Sequence, residues 1–434
     1  MPNDQRPEPA GTLAALCAEA YRAALTRLSA ARRVSEALAA EPLPAGPVRV
    51  LALGKAAAPM LDAAAAALGE RLRDPLCVYP ERTPGPRCPG ALAVAAGHPR
   101  PTDGSLRAGE AIQGWAAAGG GAPALVLLSG GGSALAVAPA GVGLADKIAG
   151  AAAVMRAGLP IGALNTVRKH LSILKGGQLG AALFPAPTRV LVLSDVPGDD
   201  LSVIASGPLA PDPSTFGDAL AAVDAAARAG IAAPPAVRAR LEAGARGAVG
   251  ETVKPGDPRL AGVAHRLLAG PLDLARAAAE EAARRGCAAE ADPTPLAGDV
   301  AAVAARLAAW ARQHAGRGRQ VLALGGEPTI RVPADAARPD GGRAQHLALL
   351  CALALEGLPA AALAAGSDGR DGPTEQAGAV VDGSTAAAAR RAGVDLAAAL
   401  AEARSGPAAV ALGVAIPRFD TGTHLCDLVM VAVE

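Results

Sequence analysis

Ser129-Gly130-Gly131-Gly132-Ser133 follows the apolar run Leu125–Leu128 and carries almost no side-chain bulk. Glycines in series let backbone N–H groups converge on an anion, and a helix opening behind them adds its N-terminal dipole. The same residues also suit a tight turn that holds nothing. No Lys-Ser/Thr pair closes the loop, so it is not a P-loop. Gly131 to Leu135 begins like a nucleophile elbow but lacks the closing glycine.

Cations and carboxylates stand in comparable places. Lys55 follows the apolar stretch "VRVLALG" directly, where an ammonium can meet a carboxylate or a phosphate. Only five of the 41 basic residues are lysine: Lys55, Lys147, Lys169, Lys175 and Lys254. The segment "NTVRKHLSILKGGQLG" holds Arg168, Lys169, His170 and Lys175 among apolar residues, either as charge presented to a cleft or as a solvated helix face. "LSDVPGDDLSVIASGP" sets Asp195 at a strand end, with Asp199 and Asp200 behind it and the turn Ser206 to Pro208 further on. Such carboxylates can bind Mg²⁺, accept a proton from a hydroxyl, or simply cap turns. Later come Glu327 in "GGEPTI", Arg343 in "DGGRAQHLAL", and Asp368 and Asp371 in "GSDGRDGPT". Arginine can clamp a carboxylate or a phosphoryl group in transit. The two aspartates have a spacing found in metal loops, although length and missing ligands exclude an EF-hand. Together these groups describe a cleft suited to phosphoryl transfer, in which catalysis is positioning plus charge neutralisation.

The elements that must position them are α/β units. Apolar runs end in the loops after "VRVLAL", "ALAVAA", "ALVLL", "RVLVL", "QVLALG" and "AALAAG", each followed by loop or helical sequence. Strands that are apolar throughout and alternate with helices imply parallel sheets covered on both faces, with ligands at the carboxyl ends. The chain has 434 residues, which favours two domains. A boundary near 245 is expected, giving a doubly wound Rossmann-like parallel sheet over 1–245 and a second α/β domain over 246–434. A helix over 11–40 can pack on the second. Aromatics are 2% and net charge is +1, which argues against nucleic acid and anionic membranes as partners. Six widely spaced cysteines without a C-x-x-C pair read as reduced structural thiols. The polar start "MPNDQRPEPAG" carries no apolar signal segment, and a soluble cytoplasmic protein is expected. "LGKAAAP" has one glycine, so the G-x-G-x-x-G dinucleotide fingerprint is absent.

Taken in order, "GKAAAPM", "GHPRPTDGS", "LLSGGGSAL", "NTVRKHLSILKGG", "LSDVPGDDLSVIASGPLAPDPST", "GGEPTI", "GGR-Q" and "GSDGRDGPTEQAGAVVDG" resemble the class II glycerate kinases, whose C-terminal part is the MOFRL domain. The resemblance runs from about residue 10 to the end. It implies two α/β domains with the active site in the cleft between them, ATP and Mg²⁺ as cofactors, and phosphorylation of the 2-hydroxyl of D-glycerate. Some members have carried the label hydroxypyruvate reductase, the alternative reading, and a kinase for a related small hydroxy acid is a third. On this footing Lys55, Asp195 and Arg343 are the catalytic candidates, with Asp195 as base. Ser129 to Ser133, His98, Arg168, Lys169, Lys175 and Glu327 are candidates for substrate or nucleotide binding. Asp368 and Asp371 are candidates for Mg²⁺ contacts. A homodimer is left open. The sequence departs from the family's G-G-R-N-Q-E and T-G-T-N-x-N-D at Ala344, His346, His424 and Cys426, which leaves the exact hydroxy acid open.

Overall fold

A computed structural model describes residues 12–332 and 340–434. The polar N-terminal stretch 1–11 lies outside them. The chain divides into two compact units. The first comprises residues 33–194 and 199–268; the second comprises the segment ending at Arg32, Asp195–Gly198 and Ala269–Glu434.

The first unit is built on β1 (Val48–Leu53), β2 (Leu72–Pro80), β3 (Leu92–Ala96), β4 (Ala124–Leu128), β5 (Thr188–Leu193) and β6 (Val263–Ala269). Their order in the sheet is β3-β2-β1-β4-β5-β6. Strands β1 to β5 pair in parallel. This is the strand order of a doubly wound sheet, with a topological switch point between β1 and β4. Every residue of β1 and β4 is buried, which is why both read as apolar runs without alternation. The units divide after Leu268, downstream of 245, because β6 joins this first sheet.

The second unit holds β7 (Ala288–Ala291), β8 (Gln320–Gly326), β9 (Ala360–Gly366), β10 (Gln376–Asp382), β11 (Ala415–Pro417) and β12 (Asp427–Val433), in the order β11-β10-β9-β12-β8-β7. Only β7 and β8 pair in parallel; the other neighbours are antiparallel. Strand–helix alternation implied a parallel sheet here, and two features change that. The loop after β9 returns directly as β10 without a crossover helix. The chain's last strand, fully buried β12, then inserts between β8 and β9. In that register Asp427 lies opposite both Gly326 and Gly366, so the ends of β8 and β9 meet the start of β12.

The expected helix over 11–40 is two helices, Leu13–Arg27 and Ala30–Ala40. At the break, Thr423 donates to the Leu28 carbonyl (3.1 Å) and Ala30 N–H to that of Gly422. The first helix packs on the helix Pro271–Arg284 and on β9, where the buried Tyr21 hydroxyl donates to Gly366 O at 2.7 Å. No described helix is long and apolar enough to cross a membrane. All six cysteines are buried thiols outside any disulfide.

Candidate active-site loops

The six sequence-singled loops all follow strands: β1, β3, β4, β5, β8 and β9. In the first unit, the switch point brings together those after β1 and β4. Ser129 N–H donates to Leu53 O (3.0 Å) and Lys55 N–H to Gly130 O (2.8 Å), so the two loops are pinned main chain to main chain. The buried Ser129 hydroxyl accepts from Ala56 N at 3.0 Å, which makes it a brace. Gly54 has φ +134° and its position leaves no room for a Cβ against Ser129. Gly131 has φ +85°, and a Cβ there would stand 3.1 Å from both Lys55 Cγ and the His98 ring. Lys55, His98 and the glycine loop therefore gather at the switch point, where doubly wound sheets take ligands. The helix behind the loop is only Gly132–Leu135, four residues long, so the helix dipole expected there is slight.

Ser133 reaches Ser206, Oγ to Oγ, at 2.7 Å, and Ser206 donates to Asn165 Oδ1 at 3.4 Å. Ser206 is held in a left-handed run, with Ala205 at φ 52°, Ser206 at 62° and Gly207 at 59°. Such backbone is costly for non-glycine residues and clusters at functional sites.

The basic segment separates into different jobs. Helix Ile161–His170 carries Asn165, Arg168, Lys169 and His170. Lys169 is buried and pairs with buried Asp212 at 3.2 Å, a fold contact that takes it out of any ligand surface. His170 lies between Thr166 O and the Glu251 carboxylate. Lys175 is buried with its ammonium on Ala136 O at 3.0 Å. Arg168 is half-buried. Asp200, further on, takes Ser202 N–H and serves its turn.

In the second unit, the β8, β9 and β12 ends gather the other half of the candidates. Arg343, at the start of helix Arg343–Ala354, holds Asp427 through Nε (2.6 Å) and Nη2 (3.2 Å), and holds Glu327 through Nη1. Burial works against the Arg343 charge, but Asp427 and Glu327 outweigh it and raise its pKa. Burial pushes the Asp427 carboxyl up, with Arg343 opposing. Asp371 spends both oxygens on the helix: Oδ1 accepts from Ala344 N (3.1 Å) and Oδ2 from Gln345 N (2.7 Å). Burial raises it to about 7.

Asp195, from the short segment Asp195–Gly198 that belongs to this unit, meets His424. His424 places Nε2 3.2 Å from Asp195 Oδ2 and Nδ1 3.6 Å from Asp368 Oδ2. Cys426, at φ 64°, donates its thiol to Asp195 O at 2.9 Å. Two of the four departures from the family pattern therefore bear on the candidate base. Ala344 is buried in the core of this unit, and burial lowers the pKa of His346. Asp427 and Asp212 were not singled out in the sequence. The first could have been found as the acid that closes "TGTHLCD"; Asp212 lies inside the motif "LSDVPGDDLSVIASGPLAPDPST", but its pairing with Lys169 is a tertiary contact that the sequence does not encode.

One unit with a doubly wound sheet that has Lys55 and the glycine loop at its switch point, and a second with a mixed sheet that carries an arginine–carboxylate cluster, define a two-unit α/β protein with candidate ligand loops in each unit. The chain belongs to the family defined by two models, the domain of unknown function DUF4147 over residues 16–242 and the MOFRL family over 320–427. It is 35% identical to the glycerate 2-kinase of Pyrococcus horikoshii over 398 residues, 89% of this chain and 88% of that one. An Agrobacterium vitis relative with a provisional hydroxypyruvate reductase name is 36% identical, covering 89% of this chain and 87% of its own. The crystal structure of a glycerate kinase from Thermotoga maritima is similar with a TM-score of 0.85 and 32% identity, over 97% of this chain and 99% of that one.

Proposed function

We propose that the protein is an ATP-dependent kinase that phosphorylates the 2-hydroxyl of D-glycerate to give 2-phosphoglycerate. The observation that carries this reading is the pairing of family membership with strand-end loops rich in cations, backbone donors and carboxylates, the groups that phosphoryl transfer needs. In this reading Lys55 neutralises charge on the moving phosphoryl group and Arg343 that on the substrate carboxylate. Asp195 accepts the proton of the 2-hydroxyl, and His424 orients its carboxylate. The glycine loop supplies backbone N–H groups to phosphate oxygens.

Magnesium enters with the nucleotide in this reading. Ions of this kind ride on phosphates and take one or two carboxylates from a protein. The described residues hold no group of three potential ligands. Asp371 does not fit the metal role given to it from the sequence, because both its oxygens serve the helix Arg343–Ala354. Asp368 accepts Arg370 N–H on one oxygen and faces His424 with the other. The reductase reading lacks support in the β1 turn, where one glycine stands in place of the dinucleotide fingerprint. A cytoplasmic setting, where ATP is available and thiols stay reduced, suits the kinase reading.

The test is D-glycerate, ATP and Mg²⁺ coupled to enolase without a mutase. A signal means 2-phosphoglycerate was made. A signal only after mutase is added means phosphorylation at the 3-hydroxyl. Oxidation of NADH or NADPH with hydroxypyruvate, and no ATP use, sinks the kinase reading.

A further inference from the structure

Buried ammonium groups normally keep a carboxylate partner, because desolvation without one is expensive. Lys169 obeys this rule through Asp212. Three cations beside it do not. Lys147, on helix Leu144–Arg156, is 5% exposed and reaches only backbone carbonyls, those of Leu171 and, at 3.2 Å, Arg168. Lys175 is 2% exposed and reaches only Ala136 O. The Arg168 side chain makes no hydrogen bond or ion pair among the described residues. The groups feel one another: beyond burial, Lys175 and Arg168 act on Lys147, and Arg168 acts on Lys175, with no acid offsetting them.

One turn before Arg168 on the same helix face stands Asn165. Its carbonyl oxygen takes the Ser206 hydroxyl, and its amide nitrogen has no partner among the described residues. Beyond Ser206 comes Ser133 of the glycine loop. Three basic groups without an acid partner, the unpaired guanidinium of Arg168 among them, a free amide donor and two hydroxyls thus lie together, within a single unit.

We propose that Arg168, backed by Lys175 and Lys147 and flanked by Asn165, is a seat for a small oxyanion, a carboxylate or phosphoryl group carried by one of the reactants. The proposal rests on the kinase reading above. It adds Lys147 and Asn165 to the binding machinery and removes Lys169. The guanidinium fork makes the direct contact, because its planar donors match two oxygens of either group. The lysines stand behind it with their amine groups on backbone carbonyls, where they gain charge as an anion arrives.

Calorimetric titration of the full chain tests the seat with three probes: inorganic phosphate, D-glycerate, and a non-hydrolysable ATP analogue. Arg168→Met should weaken at least one of them by about tenfold or more, the size of a lost charge-assisted bond. Arg168→Lys, which keeps the charge, should recover part of that loss. Loss confined to D-glycerate assigns the seat to the carboxylate; loss confined to phosphate and the ATP analogue assigns it to the phosphoryl group. Burial and Arg168 lower Lys175 to about 7, so an arriving anion should draw a proton onto it near neutral pH. The binding heat should then depend on the buffer's ionisation enthalpy in the wild type and lose that dependence in Lys175→Met. Unchanged binding of all three probes by folded Arg168→Met and Lys175→Met overturns the seat, as does a buffer-independent heat in the wild type. A wild type that binds phosphate through Arg168 yet makes no phosphoglycerate overturns the kinase reading and leaves the seat standing.

Discussion

The two units present their strand-end loops by different means. At the switch point between β1 and β4, main chain holds main chain: Lys55 N–H is on Gly130 O and Ser129 N–H on Leu53 O. At the ends of β8, β9 and β12, side chains hold one another: Arg343 clamps Asp427 and Glu327, and Asp371 fastens the helix that carries Arg343. The pinning of these two loops in the first unit therefore runs through backbone groups. In the second, charge and scaffold are the same groups. Removing a functional cation should separate cleanly from folding in one unit and not in the other.

Arg343→Met should do the most damage. It leaves Asp427, whose side chain is 7% exposed, without its cation, and breaking one side of such a buried pair costs about 3 kcal/mol or more. Thermal unfolding should shift downward by several degrees and turnover should collapse together with it. Lys55→Met should lower kcat by about 10² to 10³, the usual cost of a lost charge-stabilising group, with the melting temperature almost unmoved. A Lys55→Met protein that melts as early as Arg343→Met would erase the contrast between the units.

The sequence made the first unit more legible than the second, and the reasons are local. Buried parallel strands leave long apolar runs, so β1, β4 and β5 and their loops were readable directly. Strand β12 is as apolar, yet its insertion between β8 and β9 is a long-range pairing that no local pattern encodes. The convergence of Glu327, Asp427 and Arg343 depends on that insertion. The glycine loop was visible as a candidate ligand loop, but the shortness of its helix was not. The basic segment from Asn165 to Gly180 read as one face. Its division into Lys169 with Asp212, and Arg168 without a partner, is a matter of tertiary packing.

His424→Asn sharpens the comparison on a smaller scale. The imidazole stands between Asp195 and Asp368, and an amide can replace only part of that geometry. Steady-state kinetics should show kcat lowered by about tenfold or less, the worth of one hydrogen bond to a charged group, with KM for D-glycerate nearly unchanged. A change in KM alone would mean that His424 contacts substrate and does not orient Asp195.

Asp371→Asn should have the smallest effect, and its sign is diagnostic. Burial first, and Asp427 after it, push the Asp371 carboxyl up; the amides of Ala344 and Gln345, with Arg343, pull it down, and the balance is about 7. The folded protein thus holds this proton more tightly than the unfolded chain, whose carboxyl titrates near 3.8. The stability linked to it is present below that value and is lost as pH rises through about 7. Asparagine keeps one acceptor for the helix and cannot titrate, so the variant loses about 1 kcal/mol of capping and this pH dependence. The gap in melting temperature between wild type and variant should therefore close as pH rises from 4 and reverse in sign by pH 8. A gap that widens instead would mean that the two amides hold Asp371 ionised throughout. In that case the second unit would position its charges through backbone donors, as the first unit does, and the distinction between them would rest on Arg343 alone.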